Sequence, residues 1–208
     1  YVPRDLPHLV RTDPDYARVL QQRANRCLEL VRLSNGGAFI LTTANDEMDV
    51  IANTLKKQLK TPVFVQGHGR NPWDGDPQAI LTRFMASPNA TLIGSKSFWE
   101  GIDVQGERLR LVIISKLPFP MINDPIVKAR KLRHGNAAFR YVDMVDMLVD
   151  LRQGVGRLIR SQYDRGVVAI LDNRVWTKPY GGEVRNVLHF PVTDKFADCE
   201  RYLPQYME

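Results

Sequence analysis

The chain has 208 residues, 44% of them hydrophobic and 25% charged, which excludes a disordered or fibrous protein and allows one domain with a buried core. Lys and Arg number 29 against 23 Asp and Glu, and the formal net charge of +6 is compatible with a polyanionic partner. No apolar stretch reaches membrane length and only two cysteines occur, so we expect a cytoplasmic protein with reduced thiols and no membrane contact.

Short continuous apolar runs are typical of strands that are buried on both faces of a sheet. We predict such strands at residues 38–42, 62–65, 91–93, 109–114 and 166–171, and a sixth in a final helix–strand pair at about 180–193.

Helical patterns lie between these runs. Pro14 is predicted at the first position of the first helix, Asn45 is predicted to cap the second, and Asp76 precedes Pro77 at the start of the third. Residues 124–134 and about 137–161 also have helical spacing.

This alternation predicts an α/β fold with helices on both faces of a mostly parallel sheet of about six strands. Such sheets bind ligands at the carboxyl ends of their strands. We therefore expect the chemistry in the loops that follow residues 42, 65, 93, 114 and 171.

The longest predicted helix carries a polar stripe. Successive helical residues are about 100° apart, so four residues fall on one side of it: Gln153, Gly156, Arg157 and Arg160. Leucine and valine occupy the opposite side, at positions 148, 151, 155 and 158. Glycine costs a helix about 1 kcal/mol, which is easier to explain if another body approaches there. Paired guanidiniums suit phosphate oxygens, although a solvated basic helix end is the alternative.

The pattern Gln153-x-x-Gly156-Arg157-x-x-Arg160 resembles motif VI of superfamily 2 helicases, in the form used by the DinG/XPD family. The strand that follows leads to Asp172-x-Arg174, as in that family, and the Pro-Phe and Asp-Pro pairs within residues 117–125 match its connection between motifs V and VI. The resemblance implies a RecA-like three-layer fold. It also implies that Arg157 and Arg160 are catalytic and that Gln153 orients the γ-phosphate end of ATP or its water.

The loop at residues 94–106 resembles motif V of the same family, whose core is Ser-Phe-Trp-Glu-Gly-Ile-Asp. The resemblance implies two groups of contacts. The nucleotide would be met by Glu100, Gly101 and Asp103 together with Gly156, and the nucleic-acid backbone by Lys96 and Ser97. Capping of a local turn is the alternative for Asp103.

Two further strand ends are candidates for contact with nucleic acid. Thr42 and Thr43 precede the second predicted helix, where hydroxyl and free N–H groups can cradle a phosphate. Gln66 ends the second strand, where the resembled family commonly has Gln-Gly. A satisfied helix cap and a flexible surface loop are the respective alternatives.

Several signatures of a complete ATPase are missing from the sequence. It has no Gly-x-x-x-x-Gly-Lys-Ser/Thr phosphate loop, no Asp-Glu-x-His metal box and no four-cysteine set. In the resembled family these belong to the first motor domain and its insertions. We expect this segment alone to be inactive, with no metal site of its own. ATP and Mg would be held mostly by the first motor domain, and a 4Fe-4S cluster could belong to the full-length protein but not to this segment. Because residue 1 is Tyr, we expect a fragment or a processed chain.

The sequence therefore predicts that residues 1–208 are a second RecA-like motor domain with a helical insertion at about 116–150. Its expected partners are single-stranded DNA and the first motor domain of the same polypeptide. The resemblance implies 5′ to 3′ DNA unwinding by the full-length protein in repair or replication. The alternatives are a motor domain of another superfamily 2 translocase or RNA helicase, and a non-catalytic nucleic-acid-binding module.

Overall fold

The computed structural model describes residues 1–68, 76–95, 109–156 and 166–203. These residues contain five strands: β1 Ala38–Thr42, β2 Val63–Val65, β3 Thr91–Ser95, β4 Leu111–Ile114 and β5 Val167–Ile170. They also contain eight α-helices: α1 Tyr16–Leu33, α2 Asn45–Gln58, α3 Pro77–Ala86, α4 Pro125–His134, α5 Met144–Val155, α6 Arg174–Thr177, α7 Gly181–Val187 and α8 Phe196–Tyr202. A 3-10 turn, Gly135–Ala137, and a π-helical turn, Phe139–Asp143, join α4 to α5.

The five strands form one parallel sheet in the order β2-β3-β1-β4-β5. In the central strand, Phe39 is paired with Leu92 of β3 and with Val112 of β4. The prediction of a parallel α/β sheet is confirmed, and its strand ends all meet at one carboxyl edge. In addition, Tyr1 lies beside β5, where its amino group donates to the Val168 carbonyl over 2.7 Å.

Alternate residues of each strand face opposite sides of the sheet, and both sides are covered. Phe39 and Leu41 belong to a core with α3, α5 and α7, whereas Ala38 and Ile40 belong to a core with α1, α2 and α8. All five residues of β1 are buried. This two-sided burial is why the strands have continuous apolar sequences.

The amino edge of the sheet is closed by a tight turn after α1. Gly36 has φ +73° and lies so close to the next loop that a Cβ would be 1.8 Å from the Asn89 carbonyl oxygen. Arg110 donates to the carbonyls of Ser34 and Asn35 and, over 2.7 Å, to the Asn89 side chain. Each part of this turn therefore has a partner, and glycine is required at position 36.

Three local predictions differ from the structure. No strand occurs between α7 and α8, because His189 has φ +55° and Pro191 has no N–H for a ladder. Asn45 is the first residue of α2 rather than its cap, a place taken by Ala44 without a side-chain bond. Pro14 lies before α1, which begins at Tyr16. The predicted start of the third helix at Asp76-Pro77 is confirmed, and the Asp76 carboxylate caps this helix by accepting from the Ala79 amide over 2.9 Å.

Candidate functional site

The first residue of the predicted motif VI stripe, Gln153, lies on α5, and the second, Gly156, caps that helix. The inner side of α5 is buried, with Leu151 0% exposed and Val155 6% exposed. Gln153 and Gly156 are exposed, so the predicted separation of an apolar and a polar face is confirmed. Within the described residues α5 runs to Val155, with Gly156 as its C-cap residue, and the predicted end at about residue 161 lies outside them.

Part of the predicted site lies outside the described residues. This holds for the motif VI arginines, Arg157 and Arg160, and for the whole set from the predicted motif V loop, Lys96, Ser97, Glu100, Gly101 and Asp103. The described chain reaches the motif V segment at the carboxyl edge, where β3 ends at Ser95, and it reaches the motif VI arginines at the end of α5, Val155.

The two threonines after β1 differ in accessibility. Thr42 is 2% exposed, and its hydroxyl donates to the Gly94 carbonyl over 3.4 Å. Thr43 is exposed at the carboxyl edge, immediately before α2. Of the pair, Thr43 is therefore the residue whose side chain can meet a ligand from solvent.

Gln66 connects the ends of two strands. Its amide oxygen accepts from the backbone N–H of Ser95 over 2.7 Å and from the Ser95 hydroxyl over 2.9 Å. The Gln66 side chain therefore holds the residue from which the predicted motif V loop departs. This clamp was not expected from the sequence.

Asp172 and Arg174 form a buried ion pair at the end of β5. In the sequence these two residues were identified only through the family pattern. Asp172 is 0% exposed and accepts from the Leu117 amide over 2.9 Å and from the Arg174 guanidinium over 2.6 Å. Burial acts to raise the pKa of Asp172, but the hydrogen bonds from Arg174 and Leu117 lower it below its usual value. The pair therefore ties the residue after β5 to the loop after β4.

A second buried cluster lies under the ends of β1 and β4 and was missed from the sequence. Arg23 of α1 donates to the Ser115 carbonyl, and its guanidinium is 3.6 Å from the Glu47 carboxylate of α2. Both side chains are inaccessible to solvent, and burial raises the pKa of Glu47 against the opposing influence of Arg23. In the described part of the chain the Glu47 carboxylate oxygens and the Ser115 hydroxyl have no hydrogen-bond partner. An arginine at an apolar position of α1 was the available signal.

Three aromatic rings meet beside the Asp172 pair. Phe119 stacks on Phe139 with ring centroids 6.0 Å apart, and Tyr180 lies 5.8 Å from Phe119 and 5.6 Å from Phe139. The Arg174 guanidinium lies 5.0 Å from the Phe119 ring. Phe139 is 47% exposed, so the cluster offers an aromatic surface to solvent next to a cation.

These features agree with what the comparisons with known proteins find. Residues 27–189 match the sequence model of the helicase C-terminal domain family, and the chain belongs to that family. It is 40% identical over 205 residues to the "ATP-dependent DNA helicase YoaA" of Escherichia coli (strain K12), covering 96% of this chain and 30% of that protein. It is 34% identical over 188 residues to the "ATP-dependent helicase DinG" of Mycobacterium tuberculosis (strain ATCC 25618 / H37Rv), covering 89% of this chain and 27% of that protein. The chain thus spans less than a third of either relative.

The fold is also that of a solved helicase structure. The chain resembles the structure titled "XPD_Helicase" with a TM-score of 0.69 and 20% identity, over 92% of this chain and 34% of that one. Together with the family match, this confirms the RecA-like α/β fold and the DinG/XPD resemblance expected from the motifs. The family match and the relatives do not favour the alternatives, a motor domain of another superfamily 2 translocase or RNA helicase and a non-catalytic nucleic-acid-binding module.

Two general properties complete the description. No described helix is both long enough and apolar enough to cross a membrane. Within the described ranges, no three His, Cys, Asp or Glu side chains are grouped in a way that could hold a metal ion.

Proposed function

We propose that residues 1–208 form the second motor domain of an ATP-dependent DNA helicase, with the helices between β4 and β5 as an insertion at about 116–150. The observation that carries this proposal is the placement of α5. Its apolar side is anchored on the sheet, and its exposed side carries Gln153 and Gly156 directly before Arg157 and Arg160.

In this proposal the chain supplies the arginine side of an ATP site that two motor domains share. Arg157 and Arg160 stabilise the charge that develops on the transferred phosphoryl group, and Gln153 orients the γ-phosphate end or the attacking water. Glu100, Gly101 and Asp103 complete the nucleotide contacts. The phosphate loop and the Mg site lie on the first motor domain, since this chain lacks both sequence signatures.

The nucleic-acid partner in this proposal is single-stranded DNA that runs along the carboxyl edge. Thr43, Lys96 and Ser97 meet its backbone, and Gln66 acts through the clamp on Ser95. The exposed face of Phe139, backed by Phe119 and Tyr180, is suited to stacking with a base. Closure of the two motor domains around ATP then moves these contacts relative to the DNA strand. Opening after hydrolysis returns them to their starting position.

The test uses the full-length protein that contains this chain. Arg160→Ala should lower DNA-stimulated ATP turnover by about a hundredfold or more, because the transition-state charge loses a guanidinium. The measurement is phosphate release at saturating ATP and single-stranded DNA. Arg201→Ala, which removes an exposed arginine of α8, is the matched control and should turn over ATP at the parental rate.

Turnover by the folded Arg160→Ala protein within a few-fold of the parent would refute the catalytic assignment. Stimulation by RNA but not by DNA would favour the RNA-helicase alternative. The proposed polarity, 5′ to 3′, requires that a duplex with a 5′ single-stranded tail is unwound and that the same duplex with a 3′ tail is not. Repair or replication intermediates with such tails are the substrates this activity would serve.

A further inference from the structure

Lys116 lies at the point where the connections that leave two neighbouring strands, β1 and β4, run in opposite directions along the sheet. After β1 the chain passes through α2, on the face of Ile40, towards β2; after β4 it passes through α5, on the face of Phe39, towards β5. Because these connections leave neighbouring strands on opposite faces, a crevice opens between the ends of β1 and β4. Thr43 lies at the first of these ends, and Ser115 and Lys116 lie at the second.

The charges around Lys116 do not cancel. Asp172 is engaged by Arg174 and the Leu117 amide, and Glu47 is next to Arg23. Over residues 1–68, 76–95, 109–156 and 166–203, neither a hydrogen bond nor an ion pair reaches the Lys116 ammonium. Three cations therefore share this edge with two carboxylates, each of which has another cation beside it.

Partial burial of the Lys116 charge lowers the stability of the folded chain. Lys116 is half-buried, and burial lowers its pKa, as does Arg174, by more than Glu47 and Asp172 raise it. A group whose charged form is disfavoured in this way reduces the stability of the fold at neutral pH. Arg110 at the opposite edge is also partly buried, but its guanidinium has three acceptors. An anion in the crevice would give the Lys116 ammonium hydrogen-bond acceptors, which the Arg110 guanidinium already has within the chain.

We propose that Lys116 binds a phosphodiester group of single-stranded nucleic acid in the crevice between β1 and β4, with the Thr43 hydroxyl beside it. This inference rests on the proposed function and adds a contact to it. A nucleic-acid phosphate is favoured over a phosphate of ATP because Arg174, a neighbour of Lys116, also contacts the aromatic cluster, whereas Gln153 of the motif VI pattern lies on α5. The base that stacks on Phe139 and the phosphate on Lys116 would then belong to one strand.

The experiment compares Lys116→Met with Lys128→Met in the full-length protein. Lys128 is an exposed lysine on α4 and serves as the control for loss of one positive charge. Affinity for an oligothymidylate is measured without nucleotide over a range of salt concentrations. One lost phosphate contact should reduce the slope of log affinity against log salt by about 0.7, with binding several-fold weaker at physiological salt. Lys128→Met should keep the parental slope, and Lys116→Arg should retain most of it.

The thermal midpoint separates this role from a structural one. Lys116→Met removes a half-buried charge that has no ion pair among the described residues, so the midpoint should stay equal or rise while the salt slope falls. A parental slope, with or without a lower midpoint, would overturn the inference. A raised KM for ATP with unchanged DNA affinity would also overturn it, in favour of a nucleotide phosphate. If the parent itself showed no salt-dependent DNA binding, the proposed function would fail together with this inference, whereas a parental slope in Lys116→Met would remove the inference alone.

Discussion

The two edges of the sheet differ in how their polar side chains are paired. At the amino edge, Gly36, Asn89 and Arg110 form a tight turn in which each guanidinium nitrogen that reaches the turn meets a neutral oxygen. At the carboxyl edge, buried charges lie close together and several polar atoms have no hydrogen-bond partner in the described residues, among them Arg23 Nε and His8 Nδ1.

This difference indicates that the turn at the amino edge contributes to the stability of the fold, whereas the carboxyl edge is suited to binding a ligand or another domain. Buried polar groups without partners reduce stability, and they persist where a ligand or another domain completes them. At the amino edge none of those three residues is such a group, so the turn is explained by folding alone, although the Thr91 hydroxyl at the start of β3 has no partner among the described residues. The carboxyl edge has them where the crevice opens, beside Thr43 and Lys116.

The largest expected effect of a substitution is at the amino edge. Gly36→Ala places a Cβ against the Asn89 carbonyl in a backbone with φ +73°, so it should lower the free energy of unfolding by about 3–5 kcal/mol. Urea unfolding of the chain measures this change. Gly135→Ala, at φ +50° but with nothing within 4 Å, isolates the conformational cost and should lose about 1–3 kcal/mol.

A third glycine completes this series. Gly182 in α7 has no positive φ, and its Cβ would meet only the Arg185 side chain at 3.9 Å. Gly182→Ala should leave stability unchanged or raise it by up to about 1 kcal/mol. Equal losses in Gly36→Ala and Gly182→Ala would show that the turn at the amino edge is not as tight as described.

At the carboxyl edge, the largest loss should follow from Asp172→Asn. The substitution keeps an acceptor for the Leu117 amide but leaves Arg174, only 12% exposed, without its anion. We expect a loss of about 2–4 kcal/mol in the free energy of unfolding, again by urea denaturation. Asp194→Asn breaks an exposed pair with Arg4 and should change nothing measurable. A similar loss in both variants would contradict the importance of burial.

The smallest effect is a pH dependence from His8. Burial, followed by the nearby Arg174 charge, lowers the pKa of His8 to about 4, from an ordinary value of 6.5. Between these values the unfolded chain binds a proton that the folded chain does not, so stability falls as pH drops from about 6.5 to about 4. His8→Gln should weaken this fall, measured as the difference in thermal midpoint between pH 7 and pH 5. His134→Gln, an exposed histidine of α4, is the control, and an equal change in both variants would dismiss His8 as the cause.

Local patterns in the sequence determined most of the sheet and one part of the site. Strands buried on both faces need continuous apolar runs, so β1, β3, β4 and β5 were predictable within about two residues at most ends. The stripe of Gln153 and Gly156 was predictable because a helix places every third or fourth residue on one side. The strand expected in the final helix–strand pair at about 180–193 was wrong, since the backbone of His189 and the ring of Pro191 override the apolar pattern.

Only the tertiary structure decided which charges and rings meet at the carboxyl edge. Arg23 and Ser115 are 92 residues apart in sequence, and Leu117 and Asp172 are 55 apart. No spacing rule links such residues, because their contact follows from the order β2-β3-β1-β4-β5 and from the layers packed on it. A charge in the low-dielectric interior needs an opposite charge or a hydrogen-bond partner. The fold decides which group lies close enough to serve as that partner. The sequence therefore determined the family and the motif residues, and the order of the strands decided that Lys116 lies among charges already paired with others.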